Sequence, residues 1–206
     1  MDGTLIELKD VHYEALNRAL GEVDPKFIIN REDHESRYDG LPTKQKLYML
    51  TEERGLPLSE HERVWDRKQA ITAQVIEDTL LPDEHVNEAL RKLKEDGYQI
   101  MVASNSIHAT IRAALEKTGL MDYVDHYLSN ENVIHPKPDP EMFELAMEIG
   151  RCDALETMIF EDSKYGIDAA KKSGAYLYEV KDSSEIRYEP IKFRLDYIQA
   201  SKGFYR

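Results

Sequence analysis

Four short runs of this 206-residue chain hold the side chains that could do chemistry together. They are Asp2-Gly3-Thr4, Ser104-Asn105-Ser106, Lys137 between Pro136 and Pro138, and Glu161-Asp162-Ser163. Carboxylates are hard oxygen donors, and Mg²⁺ needs only a few of them because it keeps several of its waters. A hydroxyl, loop amides and a lysine suit the oxygens of a phosphoryl group. Taken singly, each run is ordinary. Asp-Gly-Thr is a turn signal, Glu-Asp-Ser can cap a helix, and a lysine between prolines is commonly a solvated loop residue. Their joint meaning depends on whether the fold carries them to one place.

The hydrophobic pattern supplies the elements. Residues 11–81 read as helices only: 11–20, then 43–54 behind the turn Asp39-Gly40-Leu41-Pro42, then 59–79. Gly55 and Pro57 separate the last two. From residue 82 the rhythm changes. Residues 83–97 form an amphipathic helix with Val86, Ala89, Leu90 and Leu93 on one face, and 98–104 read as a short buried strand. A helix over 107–119 and a weaker strand over 124–130 follow. Residues 138–150 predict a helix capped by Asp139 with Pro140 at its first position. A strand at 157–162, a helix at 164–174 and a strand at 175–180 complete the alternation, which implies a parallel sheet covered on both faces. In such sheets ligands bind at the carboxyl ends of the strands, where the Ser104 and Glu161 runs fall.

In this order, the runs resemble the haloacid dehalogenase-like superfamily, in its phosphatase and β-phosphoglucomutase-like branch. Its four motifs stand here as MDGTL, VASNS, HPKPDP and FEDSKYGIDAAKKSG, spread over nearly the whole chain. The last is the most specific, with an acidic pair, a Gly-Ile and a small-residue helix in register. The resemblance implies an α/β fold: a Rossmann-like parallel-sheet core from residues 1–10 and 82–206. A small all-helical cap, residues 11–81, is inserted after the first motif.

It also implies roles. Asp2 is the general acid, and its backbone carbonyl ligates Mg²⁺. Ser104, with amides near Asn105, binds phosphoryl oxygens beside the Gly3-Thr4 loop. Lys137 neutralises charge between nucleophile and phosphate. Asp162 ligates the metal directly, and Glu161 does so directly or through water. His12 falls at the hinge to the cap, where this branch often has a histidine. Gly40, Thr43 and Lys44 lie in a stretch that resembles the cap's substrate-contacting loop. The family's first aspartate, which attacks phosphorus, belongs two positions ahead of Asp2, with Met1 in the variable slot between. The expectation is a native polypeptide that begins upstream, with a strand ending in that aspartate.

Composition bounds the rest. A hydrophobic fraction of 41% supports a real core. A formal charge of −13 argues against a nucleic-acid backbone as partner and weighs against anionic membranes. No apolar run approaches a membrane-spanning length, and the single cysteine, Cys152, cannot form an internal disulfide, so a cytoplasmic protein is expected. Five histidines, at 34, 61, 85, 108 and 126, show no metal-ligand spacing, His135 merely precedes a proline, and Trp65 reads as cap core.

The expected function is Mg²⁺-dependent hydrolysis of a small phosphorylated metabolite, a sugar phosphate by preference, through an aspartyl-phosphate. The alternatives are a phosphomutase, or a metabolite-binding scaffold without turnover if Met1 is the true start.

Overall fold

The computed structural model of the chain describes residues 1–203, with side chains through residue 200. The first eight residues form a tight loop. The carbonyl of Met1 accepts from the amide of Leu5 at 2.8 Å, and the Gly3 amide donates to the Ile6 carbonyl at 2.9 Å. The Leu8 amide, just ahead of the first helix, donates to Asp2 Oδ1 at 2.7 Å, so Asp2 anchors the start of α1 (Lys9–Gly21).

The helical insertion has the expected form. After α1 comes a single turn, α2 (Arg31–Asp33), capped by the Asn30 side chain and running into a wide π-turn at His34–Tyr38. Helix α3 (Thr43–Arg54) matches its predicted bounds and stops at Gly55, whose φ of +72° suits a residue without Cβ. Helix α4 (His61–Thr79) buries Val64, Ile71, Val75 and Ile76 at helical spacing, chiefly against α1. Lys68 and Thr72 are buried on the same stripe.

The core follows. Helix α5 (Glu84–Glu95) is capped by Asp83, whose carboxylate accepts from the amides of His85 and Val86. Strand β1 (Met101–Ala103) leads to α6 (His108–Thr118), β2 (His126–Leu128) and α7 (Glu141–Gly150). Then come β3 (Met158–Glu161), α8 (Lys164–Ser173), β4 (Tyr176–Glu179) and α9 (Tyr188–Gly203). Pro140 stands at the N-cap of α7 rather than at its first position. Asp139 still serves the helix start, since its Oδ1 accepts from the Glu141 amide at 3.1 Å.

The parallel sheet is realised as two pairs. β1 runs parallel to β2 with Ala103 opposite Leu128, and β3 runs parallel to β4 with Glu161 opposite Glu179. Among the described residues no strand joins β1 to β3. Between the pairs lies an apolar groove of about 840 Å³, with Met101, Ala103, Ile159, Phe160, Met1 and Leu5 in its walls.

The C-terminal tail, whose sequence fits either packing or trailing, folds onto the core as α9. Ile191 is buried, Tyr188 donates to Asp96 at 2.9 Å, and Gln199 donates to the Tyr98 hydroxyl at 3.3 Å. Residues 204–206 of that tail lie outside the described residues. Among the described residues no helix is long and apolar enough to cross a membrane.

Candidate active site

The carboxyl ends of β1 and β3 meet the first loop and the cap around a cavity of about 390 Å³. Ser104 is held at the end of β1 because its amide continues the ladder to the Leu128 carbonyl at 3.0 Å. Its Oγ accepts from the Ser106 amide at 3.2 Å, which tightens the loop behind it. Asn105 joins three segments. Its Nδ2 donates to the carbonyls of Gly40 and Lys137, and its Oδ1 accepts from the Lys137 amide, so cap loop and core loop are fastened to one side chain.

Lys137 and Glu161 are both buried and form an ion pair, with Lys137 Nζ also donating to the Ala103 carbonyl at 3.1 Å. Burial alone would raise the Glu161 pKa, but the Lys137 charge prevails and holds it below the usual carboxylate value. Ser163 caps α8 through the Gly166 amide and donates to Glu161 Oε2 at 3.3 Å. Gly166 is required here, since a Cβ on it would stand 2.0 Å from that oxygen.

Asp162 turns to the first loop. Its Oδ1 accepts from the Thr4 hydroxyl at 2.9 Å, while its Oδ2 is buried with no hydrogen-bond donor and has only the Lys9 ammonium at 3.4 Å. A buried carboxylate oxygen that accepts no hydrogen bond is a hard donor suited to a divalent cation, which would take the place now held by the Lys9 ammonium. The oxygen chemistry of Asp162, its neighbour Glu161 and the first-loop residue Asp2 therefore fits such an ion.

Asp2 is buried enough that its pKa rises to about 7, against the lowering effect of the Leu8 amide. Its Oδ2 lies 3.6 Å from His12 Nε2. Burial, with Lys68 adding to it, depresses His12 well below its usual range, so this contact joins a neutral ring to the carboxyl group. On the far side of the ring, His12 Nδ1 lies 3.4 Å from Lys68 Nζ.

Most of the residues expected from the sequence converge. Asp2, His12, Gly40, Thr43, Lys44, Ser104, Asn105, Lys137, Glu161 and Asp162 all line the cavity, Lys44 as an exposed residue. Gly3 and Thr4 stand behind it, against Asp162. Trp65 also lines the cavity while packing on the core, so it is wall as well as core.

His135 comes together with Asp139 and Glu141, their ligand atoms within 4.8 Å of one another. Both Glu141 oxygens already accept the amides of Ile134 and His135, so this cluster closes a loop.

Lys46 and Lys68 escape the sequence motifs. Both are 7% exposed and line the cavity, and burial lowers them to about 8 and about 7. A signal was present: Lys68 stands four residues after Val64 and three before Ile71, on the apolar stripe of its helix.

Comparison with known proteins gives the family. Residues 1–180 match the family model of the haloacid dehalogenase-like hydrolases. A probable phosphatase of Dickeya dadantii is 32% identical, across 84% of this chain and 75% of that protein. A phosphorylated-carbohydrate phosphatase of Thermotoga maritima is 27% identical, across 84% and 79%. Among solved structures, β-phosphoglucomutase of Clostridium difficile superposes with a TM-score of 0.80 at 19% identity, covering 97% of this chain and 96% of that one. CbbY of Rhodobacter sphaeroides, solved with phosphate, also gives 0.80, at 18% identity and with 87% and 82% covered. The chain belongs to the haloacid dehalogenase-like hydrolases and is a phosphatase-type enzyme among them.

Proposed function

We propose that this chain hydrolyses the phosphate ester of a small metabolite, a sugar phosphate by preference, with Mg²⁺ as cofactor. The observation that carries the reading is the convergence of Asp2, Ser104, Lys137 and Asp162 on one cavity, with a buried Asp162 oxygen that accepts no hydrogen bond. The volume, about 390 Å³, suits a metabolite rather than a polymer.

The nucleophile belongs two positions ahead of Asp2, on a strand upstream of Met1. The groove between β1 and β3 supports this part of the proposal. Its walls are the inner edges of two parallel pairs, and Met1 lines it. An extended apolar segment entering there would pair with both edges and deliver its last carboxylate beside Ser104 and Lys137.

In the first step that carboxylate's oxygen forms a bond to phosphorus as the ester P–O bond breaks, and Asp2 gives its proton to the leaving oxygen. In the second, water attacks phosphorus, Asp2 takes the proton, and the aspartyl-phosphate P–O bond breaks to release phosphate. Asp2 suits both steps because burial puts its pKa near neutrality. Ser104 donates to a phosphoryl oxygen. Lys137, held by Glu161 and the Ala103 carbonyl, keeps a fixed positive charge beside it. Mg²⁺, held by Asp162 with Glu161 and the Asp2 carbonyl, would supply further neutralisation of the phosphoryl charge.

The test is phosphate release from glucose 1-phosphate and related esters by the chain with its upstream strand. Release with Mg²⁺, its loss in EDTA and its loss in Asp162→Asn are expected; equal release in EDTA would refute the metal assignment. A second reading, phosphomutase, is favoured by the neutral His12 lying beside Asp2 under the cap. Glucose 6-phosphate appearing in place of free phosphate would select it.

A further inference from the structure

Two lysines face the acidic pair at the end of β3, and they are held differently. Lys137 is buried against Glu161 and is fixed a second time by the Ala103 carbonyl at 3.1 Å. Lys9 stands 3.4 Å from Asp162 Oδ2, and no hydrogen bond secures that contact. The Lys9 side chain is 42% exposed, whereas that of Asp162 is 2% exposed. The carboxylate is the fixed member of this pair, held by the Thr4 hydroxyl and by the bare α-carbon of Gly3. The ammonium reaches in to it from solvent.

Helix formation does not account for Lys9. It is the first residue of α1, where a positive charge opposes the helix dipole and an acidic residue is preferred. Its place is set by the first loop instead. The Leu8 amide just ahead of it is tied to Asp2 Oδ1, and the same loop lays Gly3 and Thr4 against Asp162. The backbone of residue 9 is thereby anchored within one side-chain length of Oδ2, while the stem keeps its rotational freedom.

Mg²⁺ binds its oxygen ligands directly, at roughly 2.0–2.1 Å. An ammonium beside the same buried oxygen would then meet a like charge at close range, where water screens poorly. The two cations exclude each other. Lys9 can yield by bond rotation alone, because its stem already lies in solvent and its charge can be hydrated there.

We propose that Lys9 is a tethered competitor of the divalent cation at Asp162 and sets the Mg²⁺ concentration at which the site loads. This rests on the metal reading of Asp162 in the preceding section. The ammonium neutralises the buried carboxylate until an ion of higher charge displaces it. Loading then requires enough Mg²⁺ to overcome a counter-charge that the chain itself carries.

The experiment pairs calorimetric titration of the full chain with Mg²⁺, without substrate, and thermal melts in EDTA and in saturating Mg²⁺. Lys9→Met keeps the length of the stem and removes its charge. It should bind Mg²⁺ about tenfold more tightly than wild type, and Lys9→Arg should stay near the wild-type affinity. In EDTA, Lys9→Met should melt about 2–4 °C below wild type, since the Asp162 charge has lost its partner, and in saturating Mg²⁺ the two should melt together. In an Asp162→Asn background, Lys9→Met should leave the melt in EDTA unmoved. Equal Mg²⁺ affinities of wild type and Lys9→Met would overturn the proposal and leave the metal reading standing. Tighter binding without a lower melt in EDTA would overturn it too, because it would mean repulsion at a distance rather than competition for the oxygen. If neither protein binds Mg²⁺, the metal reading of Asp162 fails and the competitor fails with it.

Discussion

The carboxylate of Asp162 rests on the bare α-carbon of Gly3: a Cβ at residue 3 would stand 2.0 Å from Oδ2 and 2.6 Å from Cγ. Gly3 also has a φ of +72°, where a side chain is strained. The first loop can approach the end of β3 only because residue 3 has no side chain. Gly3→Ala should therefore displace Asp162 as well as strain the loop, lowering unfolding free energy by about 2 kcal/mol or more. Urea denaturation reads the first effect. A Mg²⁺ titration of activity reads the second, with half-saturation raised about tenfold or more. A destabilised variant with an unchanged Mg²⁺ response would separate Gly3 from the metal site.

Lys137 and Glu161 form a buried pair whose members cannot be removed singly at low cost. Lys137→Met leaves the Glu161 charge 4% exposed and uncompensated. It should destabilise by about 3–5 kcal/mol, because an unpaired buried charge keeps its desolvation penalty and loses its attraction. The double change Lys137→Met with Glu161→Gln should recover most of that loss while activity stays absent. Urea midpoints of the three proteins measure it, and additive losses would show that the pair does not act as a unit.

The sequence carried the elements and the candidate site residues for a local reason. Helix α3 is legible because Leu47 and Leu50 mark its buried face and Gly55 its end, and α5 because Asp83 precedes an apolar stripe. Ser104, Lys137 and Asp162 were legible as short motifs at strand ends, and all three reach one cavity. Lys46 and Lys68 were not, since a lysine in an amphipathic helix reads by default as solvent-facing. Their register against Val64, Ile71, Leu47 and Leu50 gave the only hint of burial. Lys44, two residues from Lys46, was chosen from the cap loop and proves exposed. Asn105 as a joint between Gly40 and Lys137 was equally hidden, because it depends on loops far apart in the chain. The division of the sheet into two pairs also lies beyond local pattern, which finds strands but does not say which edges meet.

Asp2 and Lys68 should give the protein a stability minimum near neutral pH. Asp2 has a folded pKa of about 7 against an ordinary 3.8, so its favourable contribution is complete below pH 4 and is lost as pH rises towards 7. Lys68 has a folded pKa of about 7 against an ordinary 10.5. Below pH 7 it is charged in both states and bears its full burial cost. Between about pH 7 and 10.5 the unfolded chain holds the extra proton, so stability rises with pH. Lys68→Met should accordingly be more stable than wild type at pH 7, on the order of 2–4 kcal/mol. The gap should close as pH approaches 10. Asp2→Asn should show the opposite trend, a gain over wild type that appears only as pH rises from 4 to 7. Thermal melts of the three proteins from pH 4 to 10 test both halves, and a Lys68→Met difference that does not vary with pH would mean that this lysine's charge reaches water.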